Sequence, residues 1–166
     1  MVKNTFIALL CSFLIFSCND DAGPALNFEL SYDGDNQSGP VLAAGDHELA
    51  VKFTSTETAD YLGKTLDEVT FFVGFSPANC VLKIYGQGNA IAPGTVLYEE
   101  DLTGTLTDGG WNQVILPSPI EITEEDIWIS IAVTHSIQQQ SIGCDAGPNR
   151  SNGDWLFSAA DGEWNK

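Results

Sequence analysis

The chain has 166 residues, 6 of them basic and 23 acidic, for a formal net charge of −17. A surface with that balance repels phosphate backbones and anionic headgroups, which argues against nucleic-acid binding and against direct adsorption to an anionic bilayer. The length suits one domain, burying about two-thirds of its unfolded surface.

The first element in chain order is a targeting signal. Lys3 precedes the apolar run of "TFIALLCSFLIFSC". A basic start followed by about 7–15 apolar residues reads as a signal peptide, whereas about 20 would be needed to cross a bilayer. Ser17 directly before Cys18, with "NDD" after it, resembles a bacterial lipoprotein signal over residues 1–17, although Phe16 is bulkier than the residue usual there. The resemblance implies cleavage before Cys18 and lipid attached to Cys18. It also implies a protein exported to the outer membrane or cell surface and touching the membrane through that lipid alone. Residues 18–27 are then a polar tether, and residues 28–166 the folded domain.

From residue 28 onward the apolar period is two. "NFELSY", "ELAVKF", "VTFFVGF", "VLKIY", "TVLYEED", "WNQVILP", "IWISIAV" and "WLFS" follow one another, separated by "DGDNQSGP", "SPAN", "GQGNAIAPG", "TDGG" and "PSP". About eight short, turn-punctuated strands predict an all-β fold, an antiparallel two-sheet jelly-roll β-sandwich. One short helix is expected over "TETADYL", where Thr54 and Glu57 have capping-box spacing and Gly63 sits at a C-terminal stop. In "IWISIAV", alternation puts Ile127, Ile129, Ile131 and Val133 toward the core. Trp128, Ser130 and Ala132 then face solvent, a cover strand or a ligand groove.

Four cysteines are present. Cys11 leaves with the signal and Cys18 takes lipid, so Cys80 and Cys144 remain in an oxidising compartment. They are expected to form one disulfide, worth roughly 4 kcal/mol for so long a loop; two buried thiols are the alternative. Catalysis finds little support. His47 and His135 are the two histidines, no serine sits in a nucleophile elbow, and no strand carries an obvious pair of cleft carboxylates. His135, at a strand end, reads as a satisfied rim histidine. Calcium is the one cofactor the residues admit. Asp33, Asp35 and Asn36 cluster in "YDGDN", where a plain Asp-Gly turn is the competing account. Asp145, Asp154 and Asp161 form a second acidic group, open to the same two readings.

Aromatic residues beside Asn and Asp on loops can stack on sugar faces while the polar groups take hydroxyls. By that logic Trp128, Asn152, Asp154, Trp155 and Trp164 are the candidate ligand residues, whereas Trp111, opening a strand, is expected in the core. The corner "CDAGPNRSNGDW" is turn chemistry at Gly147-Pro148 and Asn152-Gly153. Arg150 within it is expected to pair with one of the many carboxylates.

Four strings then come in order: "YDGDN…AVKFT…YLGKTLDEVTFFVG", "LKIYGQG…PGTVLYEEDLTG", "GGWNQVILPSPIEITEEDIWISIAVTH" and "GCDAGP…GDWLF". Together, over Phe28 to Lys166, they resemble a jelly-roll accessory domain of surface and secreted Gram-negative bacterial proteins. It is similar to the adhesin-type modules that accompany secreted peptidases. The resemblance implies a β-sandwich and a non-catalytic role, binding a glycan or a host or matrix protein at the cell surface. It brings no defined binding residues. Such modules usually ride on a larger protein and continue with a strand after the last Trp. A structural subunit of a surface complex is the alternative function, and a hydrolase the least supported one.

Overall fold

The computed structural model describes residues 28–166 except Asp33 and Asn149. The signal, Cys18 and the tether therefore lie outside the described residues, as does Asp33 of the expected calcium turn. The described residues form eight strands: β1 (Gly45–Phe53), β2 (Thr65–Val73), β3 (Asn79–Tyr85), β4 (Val96–Asp101), β5 (Gly110–Glu121), β6 (Ile127–His135), β7 (Trp155–Ser158) and β8 (Glu163–Asn165).

They form an antiparallel β-sandwich of two unequal sheets. The large sheet runs β4-β3-β6-β1-β7-β8, and the small one pairs β2 with β5. Two irregular ribbons widen the small sheet beyond β2. Val73 bridges Ile142, Ser38 bridges Cys144 and Leu42 bridges Gln139, all antiparallel. Gly74 N donates to Ser141 O at 2.8 Å, and Gly143 N to Phe72 O at 3.0 Å. The sheet thus reads β5, β2, residues 139–144, residues 38–42. At Gly143 the ribbons press so close that an added Cβ would lie 2.1 Å from Asn36 Oδ1.

The alternation of the sequence builds the core between the sheets. Val69, Phe71 and Val73 of β2, with Val114 and Leu116 of β5, pack in one cluster with Leu82, Ile84, Ile127, Ile131 and Val133 of the large sheet. Each such side chain contributes about 1.5–3 kcal/mol when fully buried. The outermost strand β4 ends in Glu99, Glu100 and Asp101, charges that discourage another strand from adding to that margin.

Two expectations are corrected. The expected α-helix is a 3-10 turn over Ala59–Tyr61. Its capping pair does form: Thr54 N and Thr54 Oγ1 donate to Glu57 Oε2 at 2.8 and 2.7 Å. Helix growth stops because the buried Thr58 hydroxyl turns back onto the carbonyls of Thr54 and Ser55, a contact that competes with regular helix. Gly63 then takes φ +73°, in the left-handed region glycine favours. Second, no disulfide joins Cys80 to Cys144. Cys80 points inward from β3 and is sealed in the core, whereas Cys144 lies on the exposed ribbon beside Ser38. Burial, with the Asp101 charge nearby, pushes the Cys80 thiol up to about 12.

Candidate functional site

The outer face of the large sheet gathers three of the four tryptophans. Lys52 lies opposite Trp128, and Ala50 opposite both Ser130 and Trp155. Alanine at the centre leaves room for the indoles beside it. Trp128 and Trp155 meet at 5.0 Å between centroids, and Trp164 reaches Trp128 at 6.1 Å. Lysine ammonium groups cap two of the rings, Lys52 over Trp128 at 5.3 Å and Lys166 over Trp155 at 4.3 Å. Trp128 is 0% exposed and Trp155 4%. The structure therefore unites Trp128, Trp155 and Trp164 as the sequence suggested, but as a second core. Neither Trp128 nor Trp155 offers a ring face to a ligand.

Beside this cluster lies a polar network that the sequence reading missed. The buried Glu48 carboxylate accepts from Tyr85 OH at 2.6 Å, Ser130 Oγ at 2.6 Å and Lys83 Nζ at 3.2 Å. Burial, reinforced by Glu48, raises the Tyr85 phenol well above its ordinary range. Lys52 pairs with Asp126 at 2.8 Å. Burial opposes ionisation of Asp126, but hydrogen bonds from Lys52 and Ser55 N outweigh it and hold the carboxyl below its usual value. The available signal was β1 itself, where Glu48 and Lys52 alternate on the side opposite Leu49, Val51 and Phe53. Two charges on a strand face read as solvated, but here they are buried in satisfied pairs.

The remaining candidates scatter. Asn152 O accepts from Lys52 N at 2.8 Å, fixing the corner to the end of β1, and Asp154 is exposed beside it. Tyr32 stacks on Phe53 at 4.7 Å and donates to Lys52 O, closing the same end. Arg150 makes no ion pair among the described residues. Asp35 is exposed, and Asn36 Oδ1 is buried without a described partner. Asp145 sits against the first acidic turn, accepting from Gly34 N at 3.1 Å and from Gly147 N at 2.8 Å. Asp161 lies apart, in the turn between β7 and β8. Among the described residues no three His, Cys, Asp or Glu side chains come together as a metal site. His135 is buried rather than at a rim. Gln139 Nε2 donates to Ser141 Oγ, which sits 2.8 Å from His135 Nε2. Burial lowers the His135 pKa, with a smaller contribution from His47, whose ring lies 5.6 Å away.

The open concavity lies on the other side of the molecule. A groove of about 1000 Å³ is lined by Phe28–Ser31 on one wall and by Thr65–Glu68 and Thr70 of β2 on the other, with Tyr61, Lys64 and Trp111 at its margins. Tyr61, delivered by the 3-10 turn, donates to Glu29 O at 3.1 Å and meets Phe28 edge-on, fixing the first wall. Lys64 Nζ sits over the Phe28 ring at 4.0 Å. Thr70 donates to Glu68 Oε1 at 3.2 Å. Trp111 is 50% exposed, braced edge-on by Phe72 at 5.7 Å, and Ile115 on the same face is 71% exposed. The expectation that Trp111 is core is thus overturned: it opens β5 on the outward phase, with Val114 and Leu116 on the inward one. The groove offers an indole face, carboxylates at Glu29, Asp67 and Glu68, and one nearby ammonium. No family model, no curated protein and no solved structure matches this chain.

Proposed function

We propose that this chain is a non-catalytic binding module, carried at the cell surface on a lipidated Cys18, whose ligand is a glycan or a segment of a host or matrix protein. The observation that supports it is the groove with Trp111 at its margin, half-exposed and braced by Phe72. A rigid indole provides a large contact area at little entropic cost for either ligand class. Glu68, Asp67 and Thr70 stand beside it to accept or donate hydrogen bonds. The resemblance to adhesin-type modules points the same way.

The test is a panel of immobilised glycans and extracellular-matrix proteins, probed with the protein with and without calcium. Binding to at least one member, weakened about tenfold or more by Trp111→Ala in a folded protein, is expected. Silence across the panel, or turnover of a substrate abolished by Glu68→Gln, would overturn the reading.

A second reading, a structural subunit of a surface complex, draws on exposed Ile115 beside Trp111. Retention of a partner protein by native mass measurement, disrupted by Ile115→Lys and unaffected by glycans, would favour it.

A further inference from the structure

We infer that the groove is an unfilled strand position in the small sheet, and that it takes an extended, basic polypeptide segment as an added strand. This deepens the binding-module reading and rests on it. Three observations carry the inference, and the first is the path of the middle ribbon. Val73 lies opposite Ile142, and Gly143 N bonds Phe72 O, so residues 142–144 run antiparallel to β2 toward its start. Continued in register, that ribbon would lie against Val69, Glu68 and Asp67. Instead it leaves after Cys144. Asp145 turns to cap Gly34 N and Gly147 N, and by Asn152 the chain is bonded to β1 of the large sheet. The neighbouring ribbon keeps going: Gly34 and Ser31 back to Phe28, upstream of Ser38, line the far wall of the groove. Beyond Cys144 the groove stands between β2 and Phe28–Ser31, where the sheet order calls for one more strand, about 4.8 Å from each neighbour in a regular sheet.

The second observation is the backbone of β2. Phe72 O and Gly74 N bond to the middle ribbon, so the even-numbered residues direct their amides to that side, as antiparallel alternation requires. Glu68 and Thr70 are next in that phase. Both line the groove, and outside the β2–β5 ladder no hydrogen bond to their N–H or C=O groups is present among the described residues. Unpaired strand amides facing a cleft are what an incoming strand pairs with.

Charge chooses the occupant. Glu29, Asp67 and Glu68 line the walls, and Lys64, the one base among the described lining residues, is placed over Phe28. Within a chain of net charge −17, the position favours lysine or arginine on the strand's outward phase, with apolar residues over Leu30 and Leu66 on the other. The chain's own tether carries Asp20 and Asp21, the wrong sign for this slot, and a second acidic copy would be repelled in the same way. The length from Thr65 to Thr70 admits a strand of about 20 Å.

The experiment titrates the full protein with a hexapeptide of alternating lysine and valine, followed by calorimetry and amide hydrogen exchange. A glutamate–valine hexapeptide and a lysine–valine hexapeptide N-methylated at alternate residues serve as controls. The lysine–valine peptide is expected to bind and to slow exchange at Glu68 and Thr70 by about tenfold or more. The acidic peptide should not bind, and N-methylation, which keeps the charge, should weaken binding about tenfold. Thr70→Pro removes a slot donor while sparing the β5 ladder. Should it not fold, the N-methylated peptide makes the same test from the ligand's side. Equal binding of the methylated peptide would reduce the effect to bulk charge and overturn the inference, as would no protection at Glu68 and Thr70. Binding of a neutral β-linked glucose oligosaccharide, lost in Trp111→Ala, with no peptide binding, would overturn the inference and leave the binding module standing. Silence to both, together with an empty ligand panel, would remove both.

Discussion

The two outer faces of the sandwich carry the same residue types to opposite ends. On the large sheet, Trp128 and Trp155 are roofed by lysines and by Trp164, and Glu48 is enclosed by Tyr85, Ser130 and Lys83. On the small sheet, Trp111 stands half open beside Ile115, Thr70 and Glu68. Width is the difference. Six neighbouring strands offer each aromatic flanking side chains on both sides, and central alanines let them converge. Two full strands cannot, so what projects outward from β5 stays at the surface. An exposed tryptophan here marks where the sheet runs out of neighbours.

By this contrast, truncating the closed face should strongly destabilise the protein and truncating the open one should not. Trp128→Ala carries the largest expected effect, a loss of about 3–5 kcal/mol measured by urea denaturation, because a fully enclosed indole leaves a cavity. A loss under about 1 kcal/mol would mean that the face is loosely covered. Glu48→Gln comes next, at about 2 kcal/mol, because it leaves the Lys83 charge poorly compensated and disturbs the bonds from Tyr85 and Ser130. The figure sits below that of a sealed ion pair because Lys83 keeps some contact with water.

A smaller effect belongs to His135. Its folded pKa lies below the ordinary value of 6.5 because it is buried, so the unfolded chain binds more protons in that window. Its stabilising contribution is complete above the unfolded value and is lost as pH falls through the folded one. Melting temperatures compared at about pH 7.5 and about pH 5 should therefore drop more in the wild-type protein than in His135→Gln. Equal drops would place the sensitivity elsewhere. The smallest effect is Trp111→Ala, expected within about 0.5 kcal/mol of wild type. A large destabilisation there would erase the distinction between the faces.

Much of this was legible in the chain. In "IWISIAV" the partition of Ile127, Ile131 and Val133 from Trp128 and Ser130 follows from alternation alone, and the structure keeps it. Alternation gives no sign of what covers the second face, since β6 is central and Trp128 is closed over by side chains from β1, β7 and β8. The same blindness affected Trp111 and Cys80. The size of Trp111 suggests core, but its phase on β5 puts it outside. The count of cysteines suggests a Cys80–Cys144 pair, but their places in the two sheets keep them apart. The groove was illegible because it depends on where residues 139–144 leave β2, a tertiary event with no local pattern. Its far wall, Phe28–Ser31, alternates in "NFELSY" as a strand would, yet forms no strand of the sandwich.

The position of β1 sets the order in which the molecule can be built. It lies between β6 and β7, so a chain threading a narrow channel amino end first has no finished centre until its last third has cleared the exit. Such late-arriving partners slow self-assembly into the millisecond-to-second range, and tryptophan fluorescence in a stopped-flow mixer, dominated by the closed cluster of Trp128, Trp155 and Trp164, would time it.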